Sequence, residues 1–240
     1  MPDTTHSPDQ IQFSTDNSPL RFHPLNGESA QTIIDAVSPL IALAEFSSGK
    51  TVVQAAELPF YEGVKFYALS DNTLPPPNTR YAFHKDGLTV LHDWTNEPIY
   101  KLNEELPLIL TEQTMIPYVR FFFHYVRGQL GRFIIVENLD EVPWLPEATD
   151  DEKAAVEAEL MPVSYRGIAP DGMHTLVATV VFKNALFRTN VKIAPQAMDV
   201  TNPETGIEEG YTFGQMMLCN EELLLEELAV EIAPPPGEFG

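Results

Sequence analysis

RYAFHKDGLTVLHD, residues 80–93, is the stretch that sets the fold class of this 240-residue chain. A run of strand formers, the dipeptide Asp86-Gly87 and a second strand-like run make a hairpin with a two-residue loop. Asp-Gly readily takes the positive φ values that a type I′ turn needs. Loop length sets the register, so Lys85 opposes Leu88, His84 opposes Thr89 and Tyr81 opposes His92. Side chains alternate along a strand, which turns His84 and His92 to opposite faces and removes a shared metal ion. His92 and Asp93 also point apart and form no direct dyad. His92 beside Tyr81 is either a proton-transfer group in a pocket or a histidine hydrogen-bonded inside the sheet.

The same plan recurs downstream. Residues 176–182 are nearly all apolar, and Lys183-Asn184 or Asn184-Ala185 supplies the turn. On the return, Phe187, Thr189, Val191 and Ile193 alternate with Leu186, Arg188, Asn190 and Lys192, as in a strand with one wet face. Residues 64–69 and 131–137 read as further strands, and 51–56 as a short apolar segment. Helical spacing shows at Ile33, Ile34, Val37, Ile41 and Leu43, with Pro39 as a kink or a join. A helix over 114–127 can be capped by Thr111 or Thr114, and Pro117 favours the later start. Asp150 can cap a helix over 151–160, and Asn220 a last helix over 221–232 whose leading acids suit the helix dipole. Hairpins dominate and helices do not alternate with single strands. The expected class is α+β, a mainly antiparallel sheet built from hairpins with helices packed on one side.

Punctuation divides the chain further. Residues 1–27, interrupted by four prolines, read as an irregular arm, and Pro75-Pro76-Pro77 as an extended loop. An α+β unit over 28–139 is followed by an acidic, proline-containing linker at 138–149 and a second α+β unit over 150–232. The two units are either separate or one continuous domain, and 233–240 is a tail. Gly206 and Gly210 bracket either a mobile flap or a plain loop.

Composition narrows the function classes. The chain is 44% hydrophobic and 10% aromatic, ordinary for a folded protein. Its longest apolar runs fall far short of a membrane span, and its polar start does not read as a secretory signal. Cys219 is the single cysteine, so neither an intrachain disulfide nor a cysteine metal cluster can form, and a reducing cytoplasm fits. The formal net charge is −21. The last basic residue is Lys192, and ten acids follow it. Such a surface repels nucleic acid and anionic membrane and attracts a basic protein partner. No phosphate loop, dinucleotide fingerprint, nucleophile elbow, zincin or calcium-loop motif occurs, so no cofactor is implied.

Against this background residues 118–137, YVRFFFHYVRGQLGRFIIVE, form a basic and aromatic island. On a helix Arg120, His124 and Arg127 fall at i, i+4 and i+7 and share one face, while Val119, Phe122, Phe123 and Val126 suit the core. Arg132 follows a glycine-flanked turn and can fold back toward the same surface. Guanidinium forks beside an imidazole suit a carboxylate or phosphate, although the protein's own carboxylates can occupy them equally well. As a strand the stretch would keep Arg120 and His124 on one face and lose Arg127. The expected function is a non-catalytic binding module for a protein partner or small anion. The alternative is an enzyme acting on a small carboxylate- or phosphate-bearing substrate. There Arg120 and Arg127 anchor the anion, and His124 or His92 acts as general acid or base.

Overall fold

The computed structural model describes residues 18–41, 46–71, 73, 78–128, 130–201 and 206–232. Most of the expected arm, Leu43, the proline loop at 75–77 and the tail at 233–240 lie outside them. The described residues form an α+β fold of antiparallel sheets. One five-stranded sheet runs in sequence order: β1 (His23–Leu25), β2 (Thr51–Glu57), β3 (Lys65–Asp71), β4 (Asn78–Lys85) and β5 (Leu88–His92). The β4–β5 register is the one read from the loop, Tyr81↔His92 through Lys85↔Leu88. Asp86 and Gly87 take φ of 47° and 86°, the left-handed values a type I′ turn requires.

The second sheet has the order β12-β9-β8-β6. Its centre is the long hairpin of β8 (His174–Phe182) and β9 (Ala185–Ile193), turned by Lys183-Asn184 with Lys183 at φ 54°. The free edge of β8 is shared by two short strands. β7 (Ser164–Ile168) covers its start, and β6 (Phe133–Ile135) pairs with its end, where Phe133 stacks on Phe182. A separate ribbon joins β10 (Met198–Thr201) to β11 (Glu208–Tyr211).

Helices fill the spaces around these sheets. The α1 helix (Gly27–Val37) buries Ile33, Ile34 and Val37 against Val53, Tyr67 and Leu69 on one face of the first sheet. Ser38–Leu40 then form a single 3-10 turn at Pro39. On the opposite face lie α2 (Glu97–Glu105), which the sequence reading did not single out, and α3 (Glu112–Tyr125). α3 is clamped between the sheets, touching Phe60, Phe66 and Phe83 on one side and belonging to the same core as Leu176, Val180 and Val191. That core runs without a break from Leu58 to Ile193. Residues 138–149 also join a core, with Val142 buried and Trp144 bridged to Val230. α4 (Asp150–Glu159) is capped by Thr149, one residue before the expected Asp150.

Two expectations about helices fail. α3 begins at Glu112 because Thr111 forms a capping box with Thr114, which places Pro117 in the second turn. It stops at Tyr125 because Val126 turns extended and the Arg127 N–H donates to the Trp94 carbonyl at 2.8 Å. The expected last helix over 221–232 does not form: residues 221–225 belong to a strand and the rest is largely irregular. β12 (Met216–Leu225) pairs with β9, and Asn220 at φ 55° lies in a break in the register between Cys219 and Glu222. The unpaired edge of β9 needs a hydrogen-bonding partner more than this Leu- and Glu-rich segment needs its helix. Glu221 and Glu222 stay exposed on the new sheet edge, where charge discourages edge-to-edge association.

Candidate functional site

A cleft of about 580 Å³ opens along the outer side of α3. Its walls come from α3 (Arg120, Phe123, His124), from β6 and its lead-in (Arg132, Ile134) and from the turn after β6 (Glu137, Glu141). Ser18 crosses one end, with its hydroxyl 3.0 Å from the Tyr125 hydroxyl. Three of the four arginine and histidine residues expected to form a binding stripe therefore do meet: Arg120, His124 and Arg132.

Arg127 does not line the cleft. The early end of α3 takes it off the helical face, and its guanidinium stacks 4.4 Å above the Trp94 ring. The expected i, i+4, i+7 stripe is thus reduced to Arg120 and His124, and the third member is Arg132, brought in by β6.

The two cleft arginines are in opposite states. Arg120 is gripped by Glu137: Nη2 donates to Oε1 at 2.7 Å, and Nε lies 2.6 Å from Oε2. Glu137 Oε1 also accepts from the Val163 N–H at 2.8 Å, so this carboxylate is a fixed structural counter-charge. Arg132 makes one long contact, Nε to the Phe123 carbonyl at 3.5 Å, and among the described residues it forms no ion pair. Burial, then the neighbouring Arg127, pull its pKa down to about 10. His124 lies beside it, and burial followed by Arg132 and Arg127 pushes its pKa down to about 3. His124 is therefore a neutral imidazole at ordinary pH, a hydrogen-bonding group without charge.

His92 lies elsewhere. It is buried in a cage of Phe66, Phe83, Trp94 and Tyr125, and Nε2 lies 2.6 Å from the Tyr125 carbonyl. That carbonyl can only accept, so Nε2 carries the proton and Nδ1 is left without a partner among the described residues. Burial pushes its pKa down, against the pull of that bond. His84 faces the other side of the sheet, 2.8 Å from the Thr89 hydroxyl. Among the described residues no group of three His, Cys, Asp or Glu side chains could hold a metal ion.

Glu137 and Glu141 escaped the sequence reading, although Glu137 ends the quoted basic stretch. Acidic residues are too common in this chain for composition to single out two of them. Also unread was a buried polar network on the core side of α3. Tyr61 donates to Asn103, whose Nδ2 donates to the Tyr118 hydroxyl at 3.0 Å, and Tyr118 donates to the Gly214 carbonyl at 2.9 Å.

Compared with known proteins, the chain matches no family model, no curated protein and no solved structure. Among the described residues no helix is long and apolar enough to cross a membrane.

Proposed function

We propose that this acidic protein is a cytoplasmic binding module whose cleft takes up a small carboxylate- or phosphate-bearing ligand without transforming it. The observation that carries the reading is Arg132, a largely buried guanidinium in the cleft wall that none of the described carboxylates neutralises. A charge taken out of water without a partner costs several kcal/mol, and an incoming anion with two oxygens offsets that cost. Arg120 serves in this reading as a scaffold, since Glu137 already holds it. The histidines favour binding over catalysis. His92 is locked to a backbone carbonyl inside an aromatic cage, and His124 is too weak a base to be protonated near neutrality.

Thermal unfolding against a panel of carboxylates and phosphates, with calorimetric titration of any hit, tests the reading. The wild type is expected to show a saturable rise in melting temperature. Arg132→Met should lose it, and Arg127→Met, outside the cleft, should keep it. A flat panel for the wild type, or a response that survives Arg132→Met, overturns the proposal.

A further inference from the structure

The cleft carries more than a lone cation. Four lining side chains are of the charged types: Arg120, Arg132, Glu137 and Glu141. Arg120 and Glu137 cancel each other as a close ion pair. The remaining two, Arg132 and Glu141, form no ion pair with each other or with any other described residue. Each is nevertheless held in place. Glu141 Oε2 accepts the Glu137 N–H at 2.6 Å, which orients its carboxylate, and Arg132 leans on the Phe123 carbonyl. The same space thus presents one unneutralised guanidinium and one unneutralised carboxylate, with the uncharged ring of His124 among them.

A multiply charged phosphate answers only half of this arrangement. It would satisfy Arg132 but confront the Glu141 carboxylate, and like charges repel strongly in a partly desolvated site. A ligand with both signs answers all of it. The rest of the wall is mixed: Phe123, Ile134, Ile135 and three prolines make it apolar, while Ser18 and Asn138 add uncharged polar groups. The volume, about 580 Å³, is within the ordinary range for small-molecule sites.

Resting on the anion-binding reading above, we infer that the occupant is a free α-amino acid with an apolar side chain. Its carboxylate meets Arg132, its ammonium meets Glu141, and its side chain lies against Ile134 and Phe123. Specificity follows from leaving a partly buried charged partner unsatisfied: an analogue lacking either charged group leaves Arg132 or Glu141 unpaired in the cleft.

Calorimetric titration of the whole chain with leucine, phenylalanine, 4-methylpentanoate (leucine without its amino group), leucinamide and inorganic phosphate tests the inference. Leucine or phenylalanine should bind saturably. The deaminated acid and the amide should each bind at least about tenfold more weakly, since each loses one charged contact. Glu141→Gln keeps an oxygen to accept the Glu137 N–H, and circular dichroism checks that it folds. It should weaken the amino acid, and it should bind the deaminated acid at least as tightly as the wild type does, since it removes a like charge from the cleft. If the deaminated acid or phosphate binds as well as leucine, and Glu141→Gln changes nothing, the amino-acid inference falls and the anion site stands. If nothing binds at millimolar concentration, both readings fall.

Discussion

The two sides of α3 obey opposite rules. Toward the sheets, most of the buried polar groups find partners: the Tyr118 hydroxyl bridges Asn103 and Gly214, and the Tyr125 carbonyl takes up His92 Nε2, with only the uncharged Nδ1 of that ring unpaired among the groups of this network. Toward the cleft, Arg132 is desolvated with no described carboxylate as counter-ion, and burial, followed by Arg132 and Arg127, keeps His124 neutral. Satisfaction of buried polar groups is the norm in folded proteins, and each lapse calls for a reason. The core side gives that reason in stability, the cleft side in an occupant. One helix thus serves as the keystone of the core and as the wall of a candidate site.

The largest effect that could break this contrast lies on the satisfied side. Gly214 has φ 75°, and a Cβ there would sit 2.5 Å from Leu108 Cδ2 and 2.6 Å from Asn103 Nδ2. Gly214→Ala therefore combines backbone strain with overpacking, and urea unfolding should show a loss of about 2–4 kcal/mol. A loss below about 1 kcal/mol would mean that the network is slack and the two sides are less different than they look.

Acid sharpens the contrast next. An unfolded histidine titrates near 6.5, whereas His124 in the folded chain titrates near 3. Between those values the unfolded state binds more protons, so stability falls as pH drops from 6.5 toward 3, at most by about 1.4 kcal/mol per pH unit. His92 is shifted in the same direction and adds to the slope. Unfolding measured at pH 7 and pH 5 should show a shallower loss for His124→Asn than for the wild type. Equal slopes would mean that His124 is already solvated and that the cleft is wetter than its lining implies.

The smallest effect is a difference in sign between the two cleft arginines. Arg120→Met strands Glu137, a half-buried carboxylate, and should destabilise by about 1 kcal/mol, discounted for the partial exposure of Arg120. Arg132→Met removes a charge that no described carboxylate compensates and should be neutral or stabilising by up to about 1 kcal/mol. Equal losses at both positions would show that Arg132 has an internal partner after all.

The legible parts of the fold were those with short-range causes. Both central hairpins could be read from two-residue turns, and the β4–β5 register followed from loop length alone. The spacing of Ile33, Ile34 and Val37 likewise marks α1. The candidate site was half legible. Arg120 and His124, four apart on one helix, meet as their spacing implies, but Arg127 is lost because the end of α3 is decided by a bond to Trp94, 33 residues earlier. Glu137 is 17 residues from Arg120, and no local pattern announces that they form a pair.

By itself, then, the sequence determined what turn chemistry and side-chain periodicity control: the antiparallel hairpins, the α+β class, and a basic island in an acidic chain. Tertiary structure alone decided the rest. It drew residues 216–225 into the second sheet because an open strand edge demands hydrogen bonds. It gave Glu137 to Arg120 and left Arg132 without a described carboxylate, because neutralisation depends on which groups burial brings within a few ångströms.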